Sequence, residues 1–274
     1  NAAGDAAIAN NVGISCFGCT NLIIGGSNAT DRNIISGNTN AGYNSVGTGT
    51  SNVSFFGNYI GTDITGESDL GNGAEGIRMQ HPASNYTIGG SSAGQGNVIS
   101  GNGDDGIHIN DGAMVIGNKI GTDKDGVSNI GNDANGIFIQ SVGTDNTIGG
   151  NSSADENIIA FNGADGIEVN SFTTTVNNEI ARNSIFSNNN LGIDLGEDGA
   201  TGNDADDSDA GANNLQNSPE ISAVSLDGSN NLTVTYLVNS TTANSTYPLT
   251  VRFYKADDGD EEGEAYLGEH SYTS

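Results

Sequence analysis

Cationic side chains are scarce in this sequence: Lys and Arg together number 7, against 34 Asp and Glu, and the formal net charge is −27. So acidic a surface repels phosphate groups, which argues against nucleic acids and anionic membranes as partners. It attracts divalent cations, and oxygen-rich loops favour Ca²⁺ among them. The sequence also lacks an apolar run long enough to cross a bilayer, so no membrane span is expected.

Tryptophan is absent, proline occurs 3 times, and hydrophobic residues make up 34% of the chain, whereas glycine occurs 42 times. In an ordinary globular domain this composition would argue for disorder. A repeat protein, however, needs only a thin apolar ladder in each repeat. Residues 1–4 show no signal-peptide pattern and the first residue is not Met, so we expect a mature form or an excised piece of a longer chain.

The 2 cysteines, Cys16 and Cys19, form a single Cys-x-x-Cys motif. No second pair completes a zinc site, and no βαβ pattern surrounds the motif as it would in a thioredoxin-like redox site. The motif therefore favours either a local disulfide or two small core residues, and the sequence leaves that choice open.

A repeat of 30 residues organises the middle of the chain, where Gly76, Gly106, Gly136 and Gly166 open successive units. A fixed period of this size is typical of a solenoid, in which each unit buries its apolar face only by stacking on its neighbours. Similar openings occur at positions 13, 42 and 192. The sequence therefore predicts about six to seven stacked rungs.

Each unit contains three short apolar segments separated by Gly, Asn, Ser and Asp, such as 107–109, 114–116 and 118–120. These segments are too short and too rich in β-branched residues to be helices, and the first of them alternates between apolar and variable positions. The sequence therefore predicts a parallel β-helix in which Ile77, Ile107, Ile137 and Ile167 lie directly above one another.

Two columns of asparagine accompany the repeat and are expected to lie at turns, where the amides bond the rungs above and below. The first column stands four residues before each opening glycine and comprises Asn38, Asn72, Asn102, Asn132, Asn162 and Asn188. The second begins the third segment of each unit and is predicted to comprise Asn33, Asn58, Asn97, Asn118, Asn157 and Asn178.

The repeat ends near position 195, which divides the chain into a β-helix (1–195), an acidic linker (196–218) and a C-terminal module (219–274). The linker places many carboxylates at spacings that suit one hard cation, so we expect a Ca²⁺ site there, with a solvated hinge as the alternative. The candidate ligands in the linker are Asp198, Asp204, Asp206, Asp207 and Asp209. Two equivalent loops in the β-helix, led by Asp63 and Asp123, offer further candidate Ca²⁺ ligands.

The C-terminal module reads as alternating strands near 221–223, 232–238, 249–254 and 265–268, with hairpin turns at Asp227-Gly228 and Asp258-Gly259. Four strands are fewer than the roughly seven of a complete immunoglobulin-like sandwich. We therefore predict an incomplete Ig-like β-sandwich, which another chain or a further segment would complete.

Several motifs resemble a known family: GNxxxGIxI, NxIGTDxxG, TIGGxxxxxxNxIxxN, and the segment 193–199 that leads to 213–219. They are similar to the right-handed parallel β-helix repeats of large secreted bacterial surface and adhesin-like proteins, within the pectin-lyase-like superfamily. The resemblance implies an all-β, right-handed parallel β-helix followed by an Ig-like module, in a secreted or cell-surface stalk. That superfamily also holds lyases, hydrolases, epimerases and phage tailspikes, so the resemblance specifies architecture rather than chemistry.

An enzyme is the main alternative, because one outward residue from each opening strand forms a column along the rungs. The column is predicted to comprise Ser15, Arg78, His108, Phe138, Glu168 and Asp194. If the chain is a polysaccharide lyase or hydrolase, we expect Arg78, His108, Glu168 and Asp194 to be the catalytic residues.

Two observations weigh against catalysis. The superfamily's Gly-His-Gly and Arg-x-Lys hydrolase signatures are absent, and Asp105, beside His108, repeats as Glu75, Asn135 and Asp165 at the same turn. We therefore expect a calcium-stabilised structural or adhesive stalk whose partner is a polysaccharide, a cell-surface ligand or further copies of the chain. The alternatives are a glycan-binding or glycan-cleaving β-helix and a filament subunit completed by strand exchange.

Overall fold

The computed structural model describes residues 4–80, 82–140, 142–256 and 262–273. Within them the chain forms an all-β molecule in which three parallel sheets wind into a solenoid, followed by two small antiparallel sheets. The described residues include no helix long and apolar enough to cross a membrane. The predicted parallel β-helix is therefore confirmed, with six rungs that carry all three strands and a seventh strand in one sheet.

Strands are numbered in chain order, and each solenoid sheet takes one strand from every rung. The opening sheet contains β1 (Ile14–Phe17), β4 (Tyr43–Val46), β7 (Ile77–Arg78), β10 (Ile107–Ile109), β13 (Ile137–Ile139), β16 (Ile167–Val169) and β19 (Ile193–Leu195). The second sheet contains β2 (Ile23–Gly25), β5 (Ser54–Phe56), β8 (Thr87–Gly89), β11 (Met114–Ile116), β14 (Thr147–Gly149) and β17 (Glu179–Ala181). The third sheet contains β3 (Ile34–Ile35), β6 (Tyr59–Ile60), β9 (Val98–Ile99), β12 (Lys119–Ile120), β15 (Ile158–Ala160) and β18 (Ser184–Phe186).

The core consists of apolar columns that run the length of the solenoid. Ile77, Ile107, Ile137 and Ile167 pair in register on adjacent strands and are fully buried, as the repeat predicts. The opening glycines allow the rungs to approach this closely, since a Cβ at Gly76 would lie 2.6 Å from the carbonyl oxygen of the next opening glycine. Any side chain at that position would force the rungs apart.

The first asparagine column forms a continuous hydrogen-bonded ladder. Each Nδ2 donates to the Oδ1 of the next asparagine at 2.7–2.9 Å, from Asn38 to Asn188. The same amides donate to strand carbonyl groups, as Asn72 does to Ile35 at 3.0 Å. These buried side chains therefore satisfy the hydrogen-bonding groups of one another and of the strand backbone, which supports the structural role expected for them.

The second column was predicted correctly except at its last position. Asn157 donates to Asn183 at 2.8 Å, so Asn183 and not Asn178 belongs to this ladder. Asn178 instead accepts from Asn146 at 2.7 Å in a separate, shorter ladder. The assignment was wrong because the rung after Gly166 is short, and residues 179–181 form its second strand rather than its third.

The C-terminal residues form two antiparallel hairpins, β20 (Glu220–Leu226) with β21 (Leu232–Leu237), and β22 (Leu249–Ala256) with β23 (Gly263–Tyr272). The predicted turn at Asp227-Gly228 is confirmed by the bonds between Asp227 and Asn231. The second predicted turn, at 258–259, lies outside the described residues. The Ig-like assignment stays a prediction, because the described strands show only these two small sheets.

Short 3₁₀ helices occupy Ala29–Asp31, Ala205–Asp207 and Ala212–Leu215. The last of these lies at the end of the solenoid, where Ala212 is fully buried in the apolar core and Leu215 packs against it. Cys16 and Cys19 form a disulfide in the first rung, one of the two alternatives that the sequence left open.

Candidate functional sites

The predicted column on the opening sheet exists, with one further member. In-register pairing of adjacent strands aligns Ser15, Asn44, Arg78, His108, Phe138, Glu168 and Asp194. Sequence reasoning missed Asn44 because its rung is the least regular, although Asn44 stands two residues after the opening Gly42 as in the other rungs. Adjacent members lie about 4.8 Å apart along the solenoid.

Arg78 and His108 are each paired with a carboxylate of their own rung. Arg78 lies 3.2 Å from the Oε1 of Glu75, and the Nδ1 of His108 lies 3.4 Å from the Oδ2 of Asp105. Both carboxylates are almost fully buried, and each belongs to the residue just before an opening glycine. The turn residues therefore hold the two basic side chains against the sheet, which leaves them less free to act on a substrate.

The turn residues also bond to one another along the solenoid. The Oδ1 of Asp105 accepts from the amide of Asn135 at 3.1 Å, and the Oδ1 of Asn135 accepts from the amide of Asp165 at 3.0 Å. The Oδ1 of Asp165 accepts from the amide of Leu191 at 2.8 Å. The repeated turn residues thus form a further polar ladder, as expected of residues that the architecture repeats.

Glu168 is the most perturbed carboxyl group of the column. Its Oε2 accepts a hydrogen bond of 2.5 Å from the Nδ2 of Asn135. Burial raises the pKa of Glu168 to about 7, aided by the negative charges of Glu197, Asp165 and Asp105, although the bond from Asn135 acts to lower it. Near neutral pH this side chain can therefore give or take a proton.

Asp194 lies next to Glu168, on the last strand of the opening sheet. It was expected to point outward, but the segment that follows covers it, and only 5% of the residue is exposed. Its Oδ2 accepts from the amide of Gly199 at 3.0 Å, whereas its Oδ1 is buried without a partner among the described residues. Burial raises its pKa, and the nearby carboxylates of Asp165, Asp198 and Glu197 act in the same direction.

The four candidate catalytic residues therefore fall into two pairs rather than one cluster. Arg78 and His108 are neighbours, and Glu168 and Asp194 are neighbours, but the rung of Phe138 lies between the pairs. The Phe138 ring contacts that of His108 edge to face, with centroids 4.9 Å apart. Two carboxyl groups flank the scissile bond in most glycosidases, and here the neighbouring pair is Glu168 with the covered Asp194.

The acidic linker brings three of its five candidate ligands together. Asp204, Asp207 and Asp209 each offer a carboxylate oxygen, and these oxygens all lie within 4.8 Å of one another. Asp207 also accepts from the hydroxyl groups of Ser240 and Ser245, at 2.9 Å each, which links the cluster to the C-terminal module. The Oδ1 of Asp209 is buried and has no partner among the described residues.

The structure places the other linker candidates elsewhere. Asp206 has a left-handed backbone with φ of 65°, and its carbonyl oxygen, rather than its carboxylate, accepts from Asn244. Asp198 lies near Asp194 at the end of the solenoid, where its negative charge helps to raise the pKa of Asp194. Neither side chain belongs to the three-carboxylate cluster found in the described part of the chain.

Asp63 and Asp123 close equivalent loops through hydrogen bonds. The Oδ1 of Asp63 accepts from the amide and hydroxyl groups of Thr65, at 3.1 and 2.7 Å. Burial acts to raise the pKa of both carboxyl groups, but several such bonds outweigh it and lower the pKa of each. Each aspartate therefore uses one carboxylate oxygen to hold its own loop, and its assignment as a Ca²⁺ ligand stays a prediction.

Comparisons of the chain with protein-family models, with curated proteins and with solved structures found no match.

Proposed function

We propose that the chain is a structural and adhesive stalk module of a larger extracellular protein, stabilised by Ca²⁺ at Asp204, Asp207 and Asp209. The proposal rests on the hydrogen-bonding pattern of the polar side chains in the solenoid. Asparagine and acidic turn residues form uninterrupted ladders across successive rungs, so that the structure is repetitive along its length rather than built around one site. A disulfide between Cys16 and Cys19 fits an oxidising, extracellular environment.

Calcium is the proposed cofactor because three carboxylates converge and one of their oxygens is buried without a partner. Hard oxygen ligands at a distance of 2.3–2.6 Å are what Ca²⁺ prefers, and the ion would relieve the repulsion among the three negative charges. Ser240 and Ser245 tie Asp207 to the C-terminal module, so the bound ion would fix that module to the linker. We further propose that this module is an Ig-like unit, because aromatic side chains pack its two hairpins together, as Tyr236 does with Phe253 at 5.2 Å between centroids.

Calcium titration tests this proposal directly. We expect Ca²⁺ to raise the melting temperature and to bind with a dissociation constant of about 10⁻⁴–10⁻³ M, the range of extracellular modules. Asp207→Asn should abolish both effects, whereas Asp133→Asn, a change of the same charge on an exposed solenoid turn, should leave them intact. Equal calcium responses in the two variants, or no response in the wild-type chain, would contradict the assignment.

A glycan-active site is the second candidate, favoured by the raised pKa of Glu168 and by the adjacent buried Asp194. A glycan array combined with assays for reducing ends and for unsaturated uronates separates this function from the stalk. If the second candidate is right, product forms and is lost in Glu168→Gln, while Asp133→Asn keeps full activity. Binding without product would indicate a glycan-binding stalk. If neither binding nor product is observed, this candidate is excluded.

A further inference from the structure

A polar pocket lies on the outer face of the third sheet, away from the carboxylate sites. It has a volume of about 310 Å³ and is bounded by β6, β9 and β12 on one side and by the glycine- and serine-rich loop 90–96 on the other. Three cationic side chains line it, Arg32, Lys119 and Lys124, out of only 7 in the whole chain. Such a concentration stands out in a protein with 34 acidic residues.

Arg32 is held in place but not neutralised. Its Nε donates to the carbonyl oxygen of Gly57 at 3.0 Å, and its guanidinium carbon lies 3.9 Å from the centroid of the Tyr59 ring. No other hydrogen bond ties the side chain to the described residues, and no carboxylate among them comes within 4.0 Å. The two terminal nitrogen atoms are therefore available as the forked donor that suits carboxylate, sulfate and phosphate groups.

Lys119 lies on β12 in the same outward column as Tyr59 and Val98. Two strand spacings, about 10 Å, separate the backbones of Tyr59 and Lys119, so the long side chains of Arg32 and Lys119 can reach one group held over Val98. Lys119 also has no carboxylate within 4.0 Å among the described residues. It thus adds a point charge opposite the guanidinium of Arg32.

Lys124, by contrast, is already paired. Its Nζ lies 2.9 Å from a carboxylate oxygen of Glu67 and 2.7 Å from one of Asp125, and these bonds raise its pKa. Its amide also donates to the carbonyl oxygen of Gly66 at 2.8 Å, so Lys124 joins the two equivalent loops of neighbouring rungs. The available charge in the pocket therefore belongs to Arg32 and Lys119.

Most cationic side chains outside this pocket are paired with carboxylates among the described residues. Among the described residues, Arg78, Lys124, Arg252 and Lys255 each have a carboxylate within 4.0 Å, which leaves Arg32, Lys119 and Arg182 without one. Two of these three line the same pocket. In so acidic a protein, cationic side chains placed at random would lie near carboxylates. Two neighbouring cations that lack a carboxylate partner therefore indicate a negatively charged ligand.

We propose that Arg32 and Lys119 form a binding site for a single oxyanion group, namely a sulfate, a phosphate or a sugar carboxylate. Arg32 contacts the group through its terminal nitrogens, Lys119 supplies the second positive charge, and Ser92 also lines the pocket. Long polyanions are disfavoured, because the net charge of −27 repels them beyond the pocket. At physiological ionic strength that repulsion is screened within about 8 Å, which permits a small anion or one charged sugar to enter.

The test is an NMR titration of the whole 274-residue chain at about 0.15 M ionic strength. It follows the backbone amide signals of Ser92 and Val98, which line the pocket and are present in every variant, together with the Nε–H signal of Arg32 in the chains that keep this residue. Sodium sulfate, sodium phosphate and sodium acetate identify the preferred group when ionic strength is held constant with chloride. Glucuronic acid and glucose 6-sulfate, with glucose as the neutral control, show whether a sugar that carries this group binds better than the free ion.

We expect saturation with a dissociation constant on the order of 1 mM for the preferred anion. Lys119→Gln should weaken binding about tenfold or more, Arg32→Gln should abolish it, and Arg32→Lys should restore part of it. Lys255→Gln, which removes a cation on the distant β22–β23 hairpin, is the matched control and should bind as the wild type does. Shifts that stay linear with every anion, or that saturate equally in Lys119→Gln, would overturn the proposal even if the Arg32 variants failed to fold.

Discussion

Glu168 shows how the surroundings of one residue can change its chemistry. Ordinary glutamates titrate near 4.5, whereas burial raises the pKa of Glu168 to about 7. The folded state holds this proton more tightly than the unfolded state does. At pH values below the pKa of the unfolded state, the carboxyl group therefore does not lower the free energy of unfolding. Stability is lost as the pH rises from about 4.5 to about 7, when the folded protein must accept a buried charge.

Glu168→Gln should therefore stabilise the protein above pH 7 and have little effect below pH 4. A shift of this size corresponds to at most about 3 kcal/mol, and partial exposure to solvent should reduce the gain to about 1–2 kcal/mol. Gln keeps an oxygen that can accept from Asn135, so the comparison isolates the charge. Urea unfolding at both pH values measures the effect, with the exposed Glu220→Gln as control. A pH-independent difference between Glu168→Gln and the wild type would show that burial does not control this carboxyl group.

At the scale of the element, the asparagine ladder is the feature that the sequence predicted best. The ladders follow from spacing, because a residue four positions before each opening glycine must repeat at the same turn of every rung. Asn178 was misplaced because that rung lacks its insert, so local spacing no longer identified which strand follows the asparagine. The burial of Asp194 could not be predicted from the sequence either, because the residues that cover it follow the last rung and do not belong to the repeat.

Asn102→Ala should destabilise the solenoid by about 2–4 kcal/mol, because it leaves several buried groups without partners. Asn102 donates to Asn132 at 2.9 Å and to the carbonyl oxygen of Ile60 at 3.3 Å, and it accepts from Asn72 at 2.9 Å. Asn102→Asp should not restore stability, since a carboxylate cannot donate and would face the Oδ1 of Asn132. The free energy of unfolding in urea measures both variants.

Asn190→Ala is the matched control for this prediction, because Asn190 is exposed and its side chain bonds to none of the described residues, whereas its backbone amide donates to Ala164. We expect that change to alter stability by less than about 0.5 kcal/mol. If Asn102→Ala were as mild as the control, the ladder would be a consequence of the fold and not one of its supports.

At the scale of the whole molecule, the β22–β23 hairpin covers one side of the last rung. Ser184 donates to the carbonyl oxygen of Glu264 at 2.6 Å, and the amide of Arg182 donates to the hydroxyl group of Tyr254 at 2.8 Å. The Arg182 guanidinium also lies 4.1 Å from the centroid of the Tyr266 ring. Solenoids need such caps, because the final rung otherwise exposes apolar and unpaired backbone surface.

Glu262 connects this cap to the asparagine ladder. Its two carboxylate oxygens accept from the amide and the Nδ2 of Asn188, at 2.9 Å each, in the position where the next asparagine of the ladder would stand. The residue is 3% exposed. The repeat could not predict this role, because Glu262 lies 74 residues further along the chain, just before β23.

Glu262→Ala should therefore loosen the C-terminal end of the solenoid while its middle stays intact. Since each rung contacts only its neighbours, the loss should reach β18 and β15 and fade towards β10. Hydrogen exchange resolved by segment measures this: we expect protection at 184–190 to fall about tenfold or more, with 107–109 unchanged. Glu262→Gln, which keeps one acceptor oxygen, should give an intermediate loss, and Glu220→Gln on the other hairpin should give none. Uniform loss of protection along all rungs would instead show that the solenoid unfolds as one cooperative unit, in which the cap does not act locally.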